Sequence, residues 1–315
     1  MNNKLEIKDL LGLAEPATKL IEIVSGAIGT IYEPRKIKKL ADAEAYRIQK
    51  LTTTAQETNF NGEIEFVDGK IKINNSDINN PEVKLLVANE VKRLFNENEN
   101  IKKIADFAYN ELENNKIEVS EDIDEDWKNN FFDKGRKIYS KDLQFIFGKI
   151  LAGEIKQPGT YSKRLLGLLS NLSQKEAIIF NKITKYTFKN NKNNSFIISD
   201  DEILKSFDIK LDEIILLEEA GLINTNPLTI SGTNVYQYKN YLINFLDDKP
   251  NLQIYFLTKS GCELESIVNN EISIDYLSKI KQKYKIQKMN YSIILSKTEN
   301  GNQINYSLLN TKYID

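Results

Sequence analysis

Apolar residues recur at helical spacing from the start of the chain. Leu10, Leu11, Leu13, Ala17, Leu20, Ile21, Val24, Ile28 and Ile31 predict a helix over residues 5–32. Pro16 and Pro34 punctuate it, because each removes a backbone donor and disfavours helix at the residue before it. From Arg35 to Thr54 the pattern turns basic and amphipathic, with Ile37, Leu40, Ala41, Ala45, Ile48 and Leu51 on one face. In "GEIEFVDGKIKINN" the period changes to two: Ile64, Phe66, Ile71 and Ile73 alternate with charges around Asp68-Gly69, a favoured hairpin turn. Such a hairpin is marginal alone and must pack on something, a copy of itself included. Helical patterns follow over about 81–115, 124–154 and 163–171.

At Ser173 the style changes. "LSQKEA" is a capping box of Ser173 with Glu176, and the helix it starts runs to about Phe188. A polar loop, the short strand "SFIIS", a second capping box (Ser199 with Glu202) and the helix "LDEIILLEEA" come next. Strand-like runs near 228–231, 234–246 and 252–258 precede a helix over 261–284 and a last hairpin around Glu299 to Gly301. Helix, strand, two helices and a ribbon is the order of a winged-helix module. The expected fold is therefore mainly α with a smaller α+β part. Its segments are N-terminal helices (1–60), one β-hairpin (61–80), a central helical domain (81–172) and a winged-helix-like sensing or regulatory region (173–315).

Composition narrows the chemistry. The 315 residues carry 43 basic and 45 acidic side chains, a near balance that argues against a general polyanion binder. Only five of the basic residues are arginine (Arg35, Arg47, Arg93, Arg136 and Arg164), so bidentate recognition of phosphate is sparse. The helix at 211–220 carries Asp212, Glu213, Glu218 and Glu219 without a cation, which disfavours duplex DNA. With no histidine and one cysteine, Cys262, there is no histidine-based triad, no histidine-ligated metal and no internal disulfide. Glu121, Asp122, Asp124, Glu125 and Asp126 read as a solvated helix start rather than a metal site. No catalytic residue, cofactor or metal is expected, and the protein is not read as an enzyme.

Residues 143–177, "LQFIFGKILAGEIKQPGTYSKRLLGLLSNLSQKEA", form the most distinctive motif. Gln144, the run Gly148 to Glu154, the turn Pro158 to Ser162 and the segment Asn171 to Ala177 resemble the signature of an uncharacterised bacterial family, a domain of unknown function. The stretch "GLAEPATKLIEIVSGAIGTIYEPRKIKKLADAEA" fits that family too, and is similar to the alpha class of abortive-infection proteins. Phe147 departs from the tryptophan that the resemblance implies. In physical terms the motif reads as packing: Gly148, Ala152 and Gly153 permit close helix approach and Pro158-Gly159 turns the chain. Gln144, Gly148, Gly153, Glu154, Pro158, Gly159, Ser162 and Arg164 are its structural residues, with Gln144, Glu154 and Arg164 expected in a buried polar network.

One stretch remains, the uncharged "IVSGAIGTIY" at 23–32. It admits three readings: core helix, association surface, or membrane element. Ser25 with Gly29, and Gly26 with Thr30, give the spacing of closely approaching helices. Ten helical residues span roughly 15 Å, half of a bilayer core of about 30 Å, so the stretch cannot cross alone. The resemblance implies a setting of phage defence, in which effectors damage the host membrane. It makes Ile23, Val24, Ser25, Gly26, Ile28, Gly29, Ile31 and Tyr32 the expected membrane or oligomer contact. The expected protein is a cytoplasmic homo-oligomer that acts on the anionic inner membrane of its bacterial host, peripherally or by insertion. Its C-terminal part would sense a small-molecule or nucleotide-derived signal from a neighbouring gene product. The alternative is a soluble winged-helix regulatory or scaffolding protein that binds a protein or nucleic acid.

Overall fold

The structure, a computed structural model, describes residues 15–29, 32–34, 63–67, 70–74, 81–113, 122–232, 234–246, 249–268, 271–300 and 303–314. The basic segment after Arg35, Ile31 and most of the expected N-terminal helices (1–60) lie outside the described residues. The chain divides into two compact units, Met1–Leu166 and Gly167–Asp315.

The first unit is helical. Helix α1 (Glu15–Ile28) starts beside Pro16, where a missing amide costs nothing, and stops at Gly29, whose φ of +68° favours glycine. A hairpin of β1 (Glu63–Val67) and β2 (Lys70–Asn74) pairs in the register that the alternation predicts, and β2 lies against helix α2 (Pro81–Leu112). The hairpin thus packs on its own chain. The helix expected over 124–154 is two helices, α3 (Glu125–Gly135) and α4 (Lys141–Lys156). The break falls where the Ile138 carbonyl turns inward to accept a hydrogen bond from Gln144 Nε2 at 2.8 Å.

Helix α2 packs along α1, α3 and α4. Gly148 sets the α2–α4 approach, since a Cβ there would lie 2.5 Å from Phe107 Cβ and 2.9 Å from the Ile104 carbonyl. Trp127 stacks on Phe131, which meets Phe132 and Phe147, and these rings form the centre of the unit's core. Phe147, smaller than the tryptophan that the resemblance implied, is fully buried there.

Helix α5 (Lys163–Asn171) crosses the boundary between the units. In the second unit, α6 (Gln174–Ile183) begins at the capping box of Ser173 and Glu176, as read from the sequence. Strands β3 (Phe188–Lys189) and β4 (Ser195–Ile198), helices α7 (Asp201–Ser206) and α8 (Leu211–Glu219), and strands β5 (Ile223–Ile230), β6 (Val235–Tyr238), β7 (Tyr241–Leu246) and β8 (Leu252–Leu257) follow. Helices α9 (Lys259–Ile267) and α10 (Ile274–Lys283) and the long strands β9 (Lys288–Asn300) and β10 (Gln303–Ile314) complete the chain.

The sheet corrects the expected fold class. Eight strands form one antiparallel sheet in the order β10-β9-β7-β6-β3-β4-β8-β5, so the protein is α+β and not mainly α with one hairpin. The elements read as a small winged-helix module occur in the expected order, but their strands are part of this larger sheet. Pairings such as β4–β8 and β7–β9 join segments far apart in sequence, which a local pattern does not encode. All four residues of β4 are buried, as a strand covered on both faces requires. Phe188, Phe196, Tyr236, Tyr238 and Phe245 pack with Tyr276 and Ile280 of α10 into the main core of the unit.

Two further local readings change. The capping residue of α7 is Asp200, not Ser199: its carboxylate accepts hydrogen bonds from the Glu202 and Ile203 amides. The helix expected over 261–284 is the separate pair α9 and α10, because Ser273 caps a new start by accepting from the Tyr276 amide.

Gly148→Ala should force α2 and α4 apart and destabilise the first unit by about 1–3 kcal/mol, the usual cost of overpacking. Trp127, the single tryptophan, reports that unit in urea unfolding followed by fluorescence. An unchanged midpoint would show that the two helices give way without strain.

Candidate functional site

The stretch that the sequence singled out lies on α1 and just after it. Val24, Ser25, Ile28 and Tyr32 are buried and Ile23 is half-buried, whereas Gly26 and Gly29 are exposed and a Cβ at either would meet nothing within 4 Å. Among the described residues the two glycines therefore line no close contact. Gly26 faces outward, and Gly29 ends the helix.

A small set of polar contacts fastens α1. The Tyr32 amide donates to Ser25 Oγ at 2.9 Å, folding the chain back over the helix end, and Tyr32 Oη donates to Asp106 of α2 at 2.8 Å. Arg136 Nη2 donates to the Ala27 carbonyl at 2.6 Å, satisfying a carbonyl of the last turn. Lys19 pairs with Asp122 at the exposed side. Beside this clasp lies a cavity of about 510 Å³ lined by Pro34, Asp106, Tyr109, Tyr139 and Gln144 among others.

The motif residues form two buried polar clusters. Glu154, 1% exposed, accepts from the Gly159 amide at 2.6 Å and the Tyr161 amide at 2.9 Å, so its carboxylate moulds the Pro158-Gly159 turn. Gly159 takes φ +82° there, and the absence of a Cβ at Gly153 admits the Tyr161 ring, which a Cβ would meet at 2.6 Å. Trp127 Nε1 donates to the Tyr161 carbonyl at 2.7 Å and fastens the turn to α3. Gln144 Nε2 reaches Asn100 Oδ1 at 3.2 Å, and Asn100 Nδ2 donates to the Arg136 carbonyl at 2.9 Å. Ser162 Oγ accepts from the Leu165 amide and starts α5, while Arg164 is exposed and does not join either cluster.

The acidic residues flagged in the sequence are also put to structural use. Asp124 caps α3 by accepting from the Trp127 amide. On α8, Glu213 pairs with Lys182 at 2.7 Å, and Glu218 accepts from the amide and hydroxyl of Thr225.

A third cluster, in the second unit, was not read from the sequence. Glu265 of α9 is 6% exposed; its Oε1 accepts from Thr187 Oγ1 at 2.6 Å and its Oε2 from Ser195 Oγ at 2.7 Å. Lys189 Nζ and Lys239 Nζ approach the two oxygens to 3.4 and 3.5 Å. Burial pushes the Glu265 carboxyl up, but the two ammonium groups and two hydroxyls outweigh it and hold the carboxyl below its ordinary value. Burial lowers the Lys239 ammonium, and the nearby Glu265 only partly offsets that. The three charged residues sit on α9, β3 and the β6–β7 turn, and only the sheet pairing brings them together. No spacing in the chain signals them.

A family model described as "Protein of unknown function (DUF2806)" matches residues 88–281. No curated protein and no solved structure matches the chain. The matched segment contains Gln144, Glu154 and Glu265, whereas α1 and the β9–β10 ribbon lie outside it. So does the stretch that resembles abortive-infection proteins.

Glu265→Gln should destabilise the second unit by about 3–5 kcal/mol, because two partly buried ammonium groups lose their counter-charge. With its carboxyl held below the ordinary 4.5, Glu265 contributes stability above about that pH and loses it as pH falls through its folded value. Near-ultraviolet circular dichroism, dominated in this unit by tyrosine, should show the wild-type midpoint falling in acid and the variant's falling less. Equal acid sensitivity of the two would remove Glu265 from the account.

Proposed function

The chain belongs to the DUF2806 family of proteins of unknown function, and from that premise we propose that it is a non-enzymatic effector of anti-phage abortive infection. In this reading it is a cytoplasmic homo-oligomer that acts on the inner membrane of a bacterial host through α1 when its C-terminal unit senses a signal. The observation that supports it is the way α1 is held. Its apolar face, Ala17, Leu20, Ile21, Val24 and Ile28, is buried on the first unit, while its outer face carries Glu22 and Gly26. Freed from Asp106 and Arg136, such a helix presents one apolar face suited to the lipid interface.

Geometry sets the kind of membrane action. Fourteen helical residues span about 21 Å against a hydrocarbon core of about 30 Å. No described helix is long and apolar enough to cross a membrane. Action therefore means lying in the interface or assembling several copies. Gly26, open to approach, allows the close neighbours that assembly needs.

The second reading is a soluble regulatory or scaffolding protein whose C-terminal unit engages a partner. It is favoured by one fact: Ala17, Leu20 and Val24 are completely buried, as in an ordinary core helix.

Tyr32→Phe separates the two. It keeps the ring but leaves the half-buried Asp106 carboxylate without the tyrosine donor, at a cost of about 1 kcal/mol. If α1 is a releasable element, the full-length variant should leak dye from phosphatidylglycerol vesicles several-fold faster than wild type while Trp127 fluorescence still reports a folded unit. A lower melting temperature with no leakage at any protein concentration would place α1 in the core for good and favour the soluble reading.

A further inference from the structure

The Glu265 cluster forms the floor of a cavity of about 800 Å³ in the second unit, between β3, the β6–β7 turn, the end of α9 and Ile294 of β9. We propose that this cavity binds a small organic anion of nucleotide size, its phosphate or carboxylate head on Lys189 and its body against Tyr241. The proposal gives a ligand class to the sensing half of the function above and rests on that reading for its biological meaning alone.

Charge is the first argument. Two ammonium groups share one buried carboxylate, which leaves the cluster one positive charge in excess. Lys239 has its three donors engaged, by the Thr184 carbonyl, Thr187 Oγ1 at 3.2 Å and Glu265. Lys189 has Glu265 as its one ion-pair partner among the described residues, and its side chain is a quarter exposed at the cavity. Among the described residues, two of its donors remain for an anion. Glu271, the other carboxylate of the lining, is exposed at the rim, where water screens it.

Backbone strain is the second argument. Lys239 sits at φ +58°, in the first position of the two-residue β6–β7 turn, where glycine is favoured. A lysine held there is strained, and strain of this kind clusters at ligand sites. The Lys239 ammonium is held at Glu265, so that Lys189, the more exposed of the two lysines in the lining, is the cation left for a ligand.

The remaining lining suits an organic body rather than a bare ion. Tyr241 offers a ring steadied by its edge contact with Tyr291, at 5.6 Å between centroids. Ile272 and Ile294 add apolar surface. Gln237, which is paired across the sheet with Lys189, donates its amide to the Lys239 carbonyl and keeps its side-chain oxygen as an acceptor. Asn240 is exposed at the mouth. Lysine serves as a point charge and meets phosphate or carboxylate without the paired geometry that arginine imposes.

The test uses the purified full-length chain without vesicles, so that the ligand and the membrane action can fail separately. Calorimetry is run with 5′-AMP, benzoate, inorganic phosphate and adenosine. Binding of 5′-AMP or benzoate, with adenosine silent, is the expected result, and the one that binds identifies the head group. Lys189→Gln should weaken that binding at least about tenfold, the loss of one charge-assisted hydrogen bond. Asn240→Asp, a change at an exposed turn that leaves the core intact, should weaken it by a similar factor through repulsion. No binding of either organic anion, inorganic phosphate binding as tightly as both, or full affinity in the two folded variants would overturn the proposal.

Discussion

A carboxylate buried in a protein must be met by donors or cations, and the chain around it has to be arranged to supply them. Glu154 in the first unit and Glu265 in the second are such carboxylates, and much of the local geometry around them follows. Glu154 is satisfied by two backbone amides, which can converge only if the chain turns sharply at Gly159 and returns with Tyr161 over Gly153. The returning Tyr161 carbonyl then receives the Trp127 indole, so one acidic side chain ties α3, α4 and the start of α5 together. Glu265 is satisfied differently, by hydroxyls and ammonium groups from the stretch before β3, from β3 and β4 and from the β6–β7 turn. The first carboxylate organises a loop. The second registers a sheet.

That difference explains what the sequence made legible. Glu154 and the two amides it accepts from fall within eight residues, Glu154 to Tyr161, so the motif is legible in the sequence as a packing unit with a tight turn. The Ser173–Glu176 box and the strand at 195–198 were equally local and were read correctly. Glu265 was invisible because its partners come from distant segments brought together by pairings such as β3 with β6. The sheet as a whole escaped for the same reason. The β9–β10 pair is legible in the sequence as a terminal hairpin, but the pairing of β9 with β7 that joins it to the other strands is not. The sequence pattern does not mark the ends of α3 at Gly135 and of α9 at Ile267, beyond which a side chain, Gln144 or Ser273, engages a backbone group near the next helix start. Arg164 failed in the opposite sense: the motif drew attention to it, yet its side chain lies outside both clusters.

The stretch at 23–32 shows why two readings of one segment can share the same residues. An apolar face suited to a lipid interface is also suited to a helical core, and here the core has it. The glycines that looked like an association motif separate on inspection into two roles, an open outer position at Gly26 and a helix stop at Gly29. Any membrane action must therefore begin by undoing burial. Four large apolar side chains, Leu20, Ile21, Val24 and Ile28, at about 1.5–3 kcal/mol each make complete exposure to water prohibitive, so transfer has to run from core to lipid or to another copy.

The same arithmetic limits what a ligand in the second unit could achieve alone. Moving a two-state equilibrium from 1:99 to 99:1 requires about 5.5 kcal/mol of differential binding, whereas a tenfold preference for one state supplies about 1.4 kcal/mol. A single anion on Lys189 with such a preference falls well short. Release of α1 would need the difference to be made up by lipid, which receives the apolar face, or by assembly, in which each copy adds its own contribution. On the function proposed above, a dilute, ligand-bound monomer would stay closed and α1 would be released only where ligand, neighbours and membrane coincide. The close packing of α1 would then set the threshold for that release.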